Sequence, residues 1–336
     1  MAHAHKPHIL VIRFSALGDV AMTVPVIYSV ARRYPDVRFT VVTREFFARI
    51  FINPPANVEV MGFDLKNDYR GLPGLWRLLR RVARLRPTAV ADLHNVFRSW
   101  MIDTMFRLRG TRVEMVDKMR RSRRELFRNG TPQPHFIDRY REVFARLGYP
   151  AALTFRSVFE NAAPVIPLEV ADRAVGIAPY ARYYNKTYPV EMMRRVVELL
   201  SHAGCRTYLF GARGREAEEL QQWAADITGC TAVAGRYTLE EEIAVMSKMR
   251  VMVSMDSANQ HLAALAGCDV ITVWGSTTPA CGFTPYGFTD SDGICLGLEC
   301  QPCSVAGRPT CPLGHLDCMC SISPRTIADH VLEKLK

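Results

Sequence analysis

Short apolar runs and helical periodicities alternate along this chain, pause at a proline-containing stretch, and then begin alternating again. In the first half the strand-like runs are 9–13, 37–42, 57–61 and 88–93, and the helical patterns are 20–33, 72–85, 97–108 and 136–147. After NAAPVIPL (161–168), strands fit 174–178, 206–210, 251–254 and 270–274, and helices fit 190–203, 214–226, 239–248, 257–266 and 324–335. Strands joined through helices pair in parallel, because each connection must cross over the sheet. Two such series predict an α/β protein of two doubly wound, Rossmann-like domains, residues 1–160 and 161–336. Ligands of these sheets bind beyond the carboxyl ends of the strands, which for paired domains means the cleft between them.

At 336 residues the chain is long enough for two cores. No uninterrupted apolar run reaches the ~18 residues of a membrane span. The opening MAHAHKPH lacks the apolar stretch of a secretory signal and reads as a tag remnant or a frayed end. The expected location is therefore the cytosol. The net charge of +10 is unevenly spread: residues 1–160 carry 28 Lys+Arg against 14 Asp+Glu, residues 161–336 carry 15 against 19. The first half should meet an anionic partner, either nucleic acid, an acidic membrane surface or an acidic substrate.

Three loops at strand ends carry candidate chemistry. The first is ILVIRFSALGDVAMTVP (9–25), where Asp19 sits where a strand turns into a helix. It is either a helix cap or a general base for an attacking hydroxyl. No Gly-Lys-Ser/Thr or GxGxxG makes the loop a nucleotide-phosphate cradle. The second is VMVSMDSANQHLAALAGCDVITVWGST (251–277). Asp256, Ser257 and Ala258 open a helix there, His261 lies one turn in, and Ser276 and Thr277 follow the next strand. Two polar loops on neighbouring strands suit a diphosphate and a sugar, although Asp256 or Ser257 could be a cap and His261 a packed core residue. The third is GIAPYARYYNKTYP (176–189), whose Arg182 and Lys186 are either solvated cations or counter-charges for a leaving diphosphate.

Together these stretches resemble the heptosyltransferases, glycosyltransferase family 9. The resemblance lies in Ser15-x-Leu17-Gly18-Asp19-Val20, Asp92-Leu93-His94-Asn95-x-x-Arg98-Ser99, Lys186, Gly211-Ala212-x-x-x-Glu216, Asp256-Ser257-Ala258-x-x-His261 and Gly275-Ser276-Thr277-x-Pro279, in family order over nearly the whole chain. It implies a GT-B fold and inverting, metal-independent transfer of heptose from ADP-heptose to the inner core of lipopolysaccharide. Asp19 would be the catalytic base and Lys186 the phosphate-binding lysine. Glu216 would hold the donor ribose, and Asp256, Ser257 and His261 the heptose and diphosphate. Ser15, Gly18, Asn95 and Arg98 fall on the acceptor side. The chain departs from the family at Ser257-Ala258, where Thr-Gly is common, and at Ala181-Arg182 in place of threonines. Arg182 would then supply a second phosphate contact.

No cofactor is required by this chemistry. The partners it implies are a nucleotide-sugar donor and an anionic, lipid-linked acceptor, met peripherally at the inner face of the inner membrane. LWRLLRRVARLR (75–86), with Leu75, Trp76, Leu79, Val82 and Ala83 expected on one helix face, and DKMRRSRRELFR (117–128) would serve that encounter. No nucleic acid is expected, because no recognised binding module accompanies the arginines. The alternatives are a GT-B transferase using another nucleotide-sugar and a non-catalytic basic binding protein of the same fold. Within the Cys-rich segment 295–320, Cys300, Cys303, Cys311 and Cys318 are spaced for a structural zinc, with reduced thiols the favoured reading over zinc or disulfides.

Overall fold

The computed structural model describes residues 6–336, so most of the leading segment taken as a tag remnant or frayed end lies outside the described residues. His8, however, belongs to the first strand, with its ring between the Thr40 hydroxyl (2.8 Å) and the Leu85 carbonyl (3.1 Å). Two compact units divide the chain. One comprises the chain up to Met119 together with Phe136–Val158, and the other Arg120–His135 together with Phe159–Lys336.

The first unit contains β1 (His8–Ile12), α1 (Leu17–Arg33), β2 (Arg38–Arg44), α2 (Glu45–Ala48), β3 (Val58–Phe63), α3 (Gly71–Ala83), β4 (Ala89–Asp92), α4 (Phe97–Arg107) and β5 (Arg112–Met115). α5 (Arg120–Asn129) follows in sequence but belongs to the second unit, and α6 (Phe136–Arg146) returns to the first. The sheet is wholly parallel, ordered β3-β2-β1-β4-β5, so the order reverses between β1 and β4. A strand buried on both faces reads as a continuous apolar run, and β1 (HILVI) is buried at every position.

The second unit holds β6 (Ala174–Ala178), α7 (Val190–His202), β7 (Arg206–Leu209), α8 (Arg215–Asp226), β8 (Cys230–Ala232), α9 (Leu239–Met246) and β9 (Val251–Met255). Then come α10 (Ala258–Ala266), β10 (Asp269–Val273), β11 (Gly293–Ile294), α11 (Asp317–Cys320) and α12 (Pro324–Lys334). Its parallel sheet runs β11-β10-β9-β6-β7-β8 and reverses between β6 and β9. Its main core packs one face of this sheet, with Val175, Ile177, Val251, Val253 and Ile271, against α7, α8 and α12, and α12 packs along α7.

Three findings amend the sequence reading. β8 and β11 are only three and two residues long, too short for periodicity to register, and β5, α2 and α5 are further elements that the sequence pattern does not predict. The basic segment 120–135 does not stay with the half that precedes it. Leu126 of α5 is buried with Cys281 and Val305, Gln133 N–H donates to Ala280 O at 2.9 Å, and the His135 ring bonds the Thr284 carbonyl at 2.8 Å. Third, α3 buries Gly74, Leu75, Leu78 and Val82, which leaves Trp76 on the opposite face, 58% exposed. Among the described residues no helix is long and apolar enough to cross a membrane.

Candidate active site

In the first unit the loop after β1 is short, so Asp19 falls on the third residue of α1 and can reach back to the backbone ahead of it. Its Oδ2 accepts the Ala16 N–H at 3.0 Å, and its Oδ1 meets Arg13 Nη2 at 2.9 Å. The capping reading of this carboxylate is thus realised, yet the side chain remains 21% exposed at the sheet's switch point. Arg13 is buried and donates Nη1 to the Leu93 carbonyl at 2.6 Å, which ties the β1 and β4 loops together. Burial opposes the Arg13 charge, but Asp19, Tyr140 and Asp92 outweigh it and raise its pKa.

The β4 loop supplies the rest of this site. Ser15 Oγ lies 3.2 Å from His94 Nε2. Burial, reinforced by Arg13, Lys118, Arg44 and Arg98, pushes the His94 imidazole down to about 3, so it is neutral. Asn95, in a left-handed conformation (φ 53°), has both ends of its amide engaged. Nδ2 donates to the Val116 carbonyl at 2.7 Å and Oδ1 accepts from Trp100 Nε1 at 2.6 Å. It shapes the loop more than it offers a contact. Arg98 is half-buried, its pKa lowered by burial and by Arg44. Gly18 is the second residue of α1. Beneath the loop, Asp92 Oδ1 accepts the His94 and Asn95 N–H groups at 2.8 and 2.9 Å. The fully buried Asp103 lies against Asp92, and burial first, then Asp92, carries its carboxyl up to about 8.

The second unit brings Lys186 and Asp256 together. Lys186 Nζ stands 2.7 Å from Asp256 Oδ2, in a pair only 13% and 7% exposed. The same oxygen accepts Thr277 Oγ1 at 2.6 Å, and Oδ1 accepts Gln260 Nε2 at 3.0 Å. Gln260 is fixed in turn by the Thr272 hydroxyl at 2.9 Å, and its Nε2 lies 3.4 Å from His261 Nε2. His261 is thus wired into a buried network. Ser257 occupies the N-cap position of α10 but makes no cap bond; its hydroxyl lies 3.3 Å from Ser254 Oγ. Ala258 is the first residue of that helix. The Ser276 hydroxyl is buried without a hydrogen-bond partner among the described residues, while the Thr278 side chain bonds Cys281.

Close approach shapes this site. Gly275 lets the chain pass Asn185, whose carbonyl would lie 2.7 Å from an added Cβ. Gly307, at φ 91°, packs on the Lys186 stem, where a Cβ would lie 2.5 Å from Cδ. Asn185 accepts the Arg308 N–H at 2.9 Å, so the loop after Cys303 helps to fix Lys186. Arg182 is exposed and rests over Tyr183. Glu216 opens α8, with Oε2 accepting the Ala212 N–H at 2.7 Å.

Cys300, Cys303, Cys311 and Cys318 line one cavity of about 20 Å³ together with His315. No group of three or more His, Cys, Asp or Glu among the described residues stands close enough to hold a metal ion. Burial works against the Cys311 thiolate, but the N–H groups of Leu316, Leu313, Gly314 and His315 outweigh it and lower the pKa. Burial and three neighbouring thiols push Cys318 up to about 12.

Sequence reasoning gave no role to Arg13, Gln260 or Asp103. An arginine closing a buried strand was the available signal for the first, since a charge there needs a partner. The other two lie inside helices, where polar residues are commonplace.

The pattern of the family described as glycosyltransferase family 9 (heptosyltransferase) matches residues 75–313. Lipopolysaccharide heptosyltransferase 1 of Pseudomonas aeruginosa is 28% identical over 326 aligned residues, covering 90% of this chain and 87% of that protein. The Escherichia coli K12 protein of the same name is 25% identical, covering 81% and 88%. Among solved structures, a Veillonella parvula family 9 glycosyl transferase superposes with TM-score 0.73 at 18% identity, covering 98% of both chains. E. coli heptosyltransferase WaaC with ADP superposes with TM-score 0.71 at 22% identity, covering 97% of this chain and 99% of that one. The fold is of the GT-B class.

Proposed function

Because this chain belongs to glycosyltransferase family 9, we propose that it transfers heptose from ADP-heptose to the inner core of lipopolysaccharide in a single inverting displacement. The acceptor hydroxyl forms the new bond to the anomeric carbon as the bond from that carbon to the diphosphate oxygen breaks. The hydroxyl proton passes to Asp19, and ADP departs with the electron pair. A carboxylate base in this position contributes ~10²–10⁴-fold. Arg13 holds Asp19 in place through one oxygen, and each carboxylate oxygen keeps a further lone pair for the acceptor.

The observation that carries the donor side is the buried hydroxyl of Ser276, without a hydrogen-bond partner among the described residues, in a unit that also contains the uncapped start of α10 and Lys186. Buried donors without partners are costly, and an anion would relieve them. The diphosphate would take its counter-charge from Lys186, with Arg182 as a second cation and Glu216 on the ribose. Fixed donors of this kind act where charge develops on the leaving group, so no divalent ion is needed for departure. Both relatives named above are lipopolysaccharide heptosyltransferases, which supports heptose as the sugar. A lipid-linked acceptor would place the enzyme peripherally at the inner face of the inner membrane.

ADP release tests this reading, measured in EDTA with and without a lipopolysaccharide-core acceptor, for wild type and Asp19→Asn. Acceptor-dependent release that persists in EDTA and collapses in Asp19→Asn is the expected result. Release with UDP- or GDP-sugars but not ADP-heptose would move the protein to another donor, and equal release by Asp19→Asn would remove Asp19 as the base.

A further inference from the structure

Twelve large apolar side chains are exposed among the described residues, and six of them fall on α3, on α4 or on the residue that ends α4. On α3 they are Leu72, 78% exposed, and Trp76, 58% exposed. On and after α4 they are Phe97, Trp100, Met101 and Leu108, with Phe97 at 65% and Leu108 at 84%. The two helices pack against each other on the first unit. Such concentration on neighbouring elements is the mark of an interaction surface, whereas single exposed apolar residues need no explanation.

Charge says what the surface meets. α3 contains no carboxylate, and its outer side carries Arg77 and Arg80, with Arg81 and the C-cap Arg84 beside them. None of Arg80, Arg81 or Arg84 forms an ion pair with a carboxylate among the described residues. The Arg80 guanidinium stacks on Trp76, 4.3 Å from the ring centroid, so cation and indole are presented together. Exposed tryptophans and leucine ringed by unneutralised arginines match the boundary between lipid headgroups and acyl chains, where indoles concentrate and anionic lipid attracts each cation. A folded protein partner with no carboxylates facing them would have to bury several unpaired guanidinium groups, which is unfavourable. The first turns of α3 and α4 follow the carboxyl ends of β3 and β4, the same sheet edge on which Asp19 sits.

We propose that the outer face of α3 and α4 docks this protein onto an anionic phospholipid surface, with Trp76 and Trp100 at the headgroup boundary and the α3 arginines on lipid phosphates. The surface argument stands on these two helices; only its use in presenting a lipid-linked acceptor to Asp19 rests on the function proposed above.

Two of the four tryptophans, Trp223 and Trp274, are buried in the second unit, so quenching by brominated acyl chains reads Trp76 and Trp100 alone. The test uses the full chain with vesicles of phosphatidylethanolamine and 30% phosphatidylglycerol, by sedimentation and by bromolipid quenching. Vesicles of phosphatidylcholine serve as the neutral control. Expected results are binding to the anionic vesicles only, weakened by 0.5 M salt, with quenching. Partitioning should fall at least tenfold in Trp76→Ala and in Arg80→Glu/Arg84→Glu. ADP release with a delipidated, water-soluble acceptor should be unchanged in these variants, and a protein inactive on that acceptor would still give the vesicle result. Equal binding to neutral vesicles, undiminished binding by both variants, or no bromolipid quenching would overturn the proposal. So would a wild-type dimer that Trp76→Ala converts to monomer, which would assign the face to self-association.

Discussion

Each unit sets a helix start at the switch point of its sheet, and the two starts are wired in opposite senses. In the first unit the start of α1 is filled by the chain's own carboxylate: Asp19 takes the Ala16 N–H and pairs with Arg13. In the second unit no side chain caps α10, and the nearby carboxylate, Asp256, is turned onto Lys186, Thr277 and Gln260. A helix N-terminus favours one negative group. Where the protein supplies that group, a phosphate is excluded and a carboxylate is left at the edge of the sheet. Where it does not, a phosphate can dock. On the function proposed above, the contrast would let one architecture, used twice, serve the acceptor with a carboxylate and the donor with an anion site.

The contrast breaks most visibly at Asp19. Asp19→Asn should lower kcat by ~10²–10⁴-fold with little change in the KM for ADP-heptose, because the amide keeps the cap but cannot accept the proton. A loss confined to KM would assign Asp19 to binding instead. Next in size is Lys186→Ala, expected to cost ~10²–10³-fold in kcat, as for loss of one donor to a developing oxyanion. It should also cost about 3 kcal/mol of stability by leaving Asp256 buried without its cation. The double variant Lys186→Ala/Asp256→Asn should recover much of that stability and none of the activity. Denaturant titration separates the two effects, and additive stability losses would mean that the pair is not coupled.

A smaller effect sharpens the comparison directly. Ser257→Asp places a carboxylate at the start of α10, in imitation of α1. ADP affinity should fall about tenfold, since the new charge takes the position proposed for phosphate, while stability should hold or rise slightly. Calorimetric titration with ADP reads this, and unchanged affinity would mean that the diphosphate sits elsewhere.

How far the sequence reveals this arrangement differs between the sites. Strands such as 9–13 and 251–254 are recognisable because burial on both faces makes all but their last residue apolar, and their following loops could be located to within a residue or two. The grouping of Lys186 with Asp256 is a tertiary fact, created where β6 and β9 become neighbours despite the distance between them in sequence. Local pattern cannot register it. The same holds for segment 120–135, whose arginines read as an extension of the basic first half. Its position follows from one apolar side chain, Leu126, finding Cys281 and Val305. On α3 the period was visible but its phase was not: Trp76 looks like a core residue until Gly74 and Leu78 are seen to face inward. Hydrophobicity alone does not separate a buried stripe from a docking stripe.

The smallest expected effect concerns the floor of the first site and the direction in which pH moves it. Asp103 is fully buried against Asp92, and its carboxyl is carried from 3.8 up to about 8, chiefly by burial and then by Asp92. The folded protein therefore keeps a proton that the unfolded chain has released, and stability falls as pH rises from about 4 to about 8. His94 acts in the opposite direction. Its depressed value of about 3 means that stability is lost as pH falls below 6.5; Glu242, raised to about 7 by burial, adds to the fall at higher pH, so Asp103→Asn is read against wild type, where both contributions cancel. Asp103→Asn should match wild type near pH 4, melt above it at pH 6.5, and exceed it by a further few degrees at pH 8. The gap should widen with pH, because the amide carries no charge to bury. A gap that narrows with rising pH would mean that Asp103 is ionised in the folded protein and held by a cation. The floor of the first site would then be an ion pair, like the Lys186–Asp256 pair of the second.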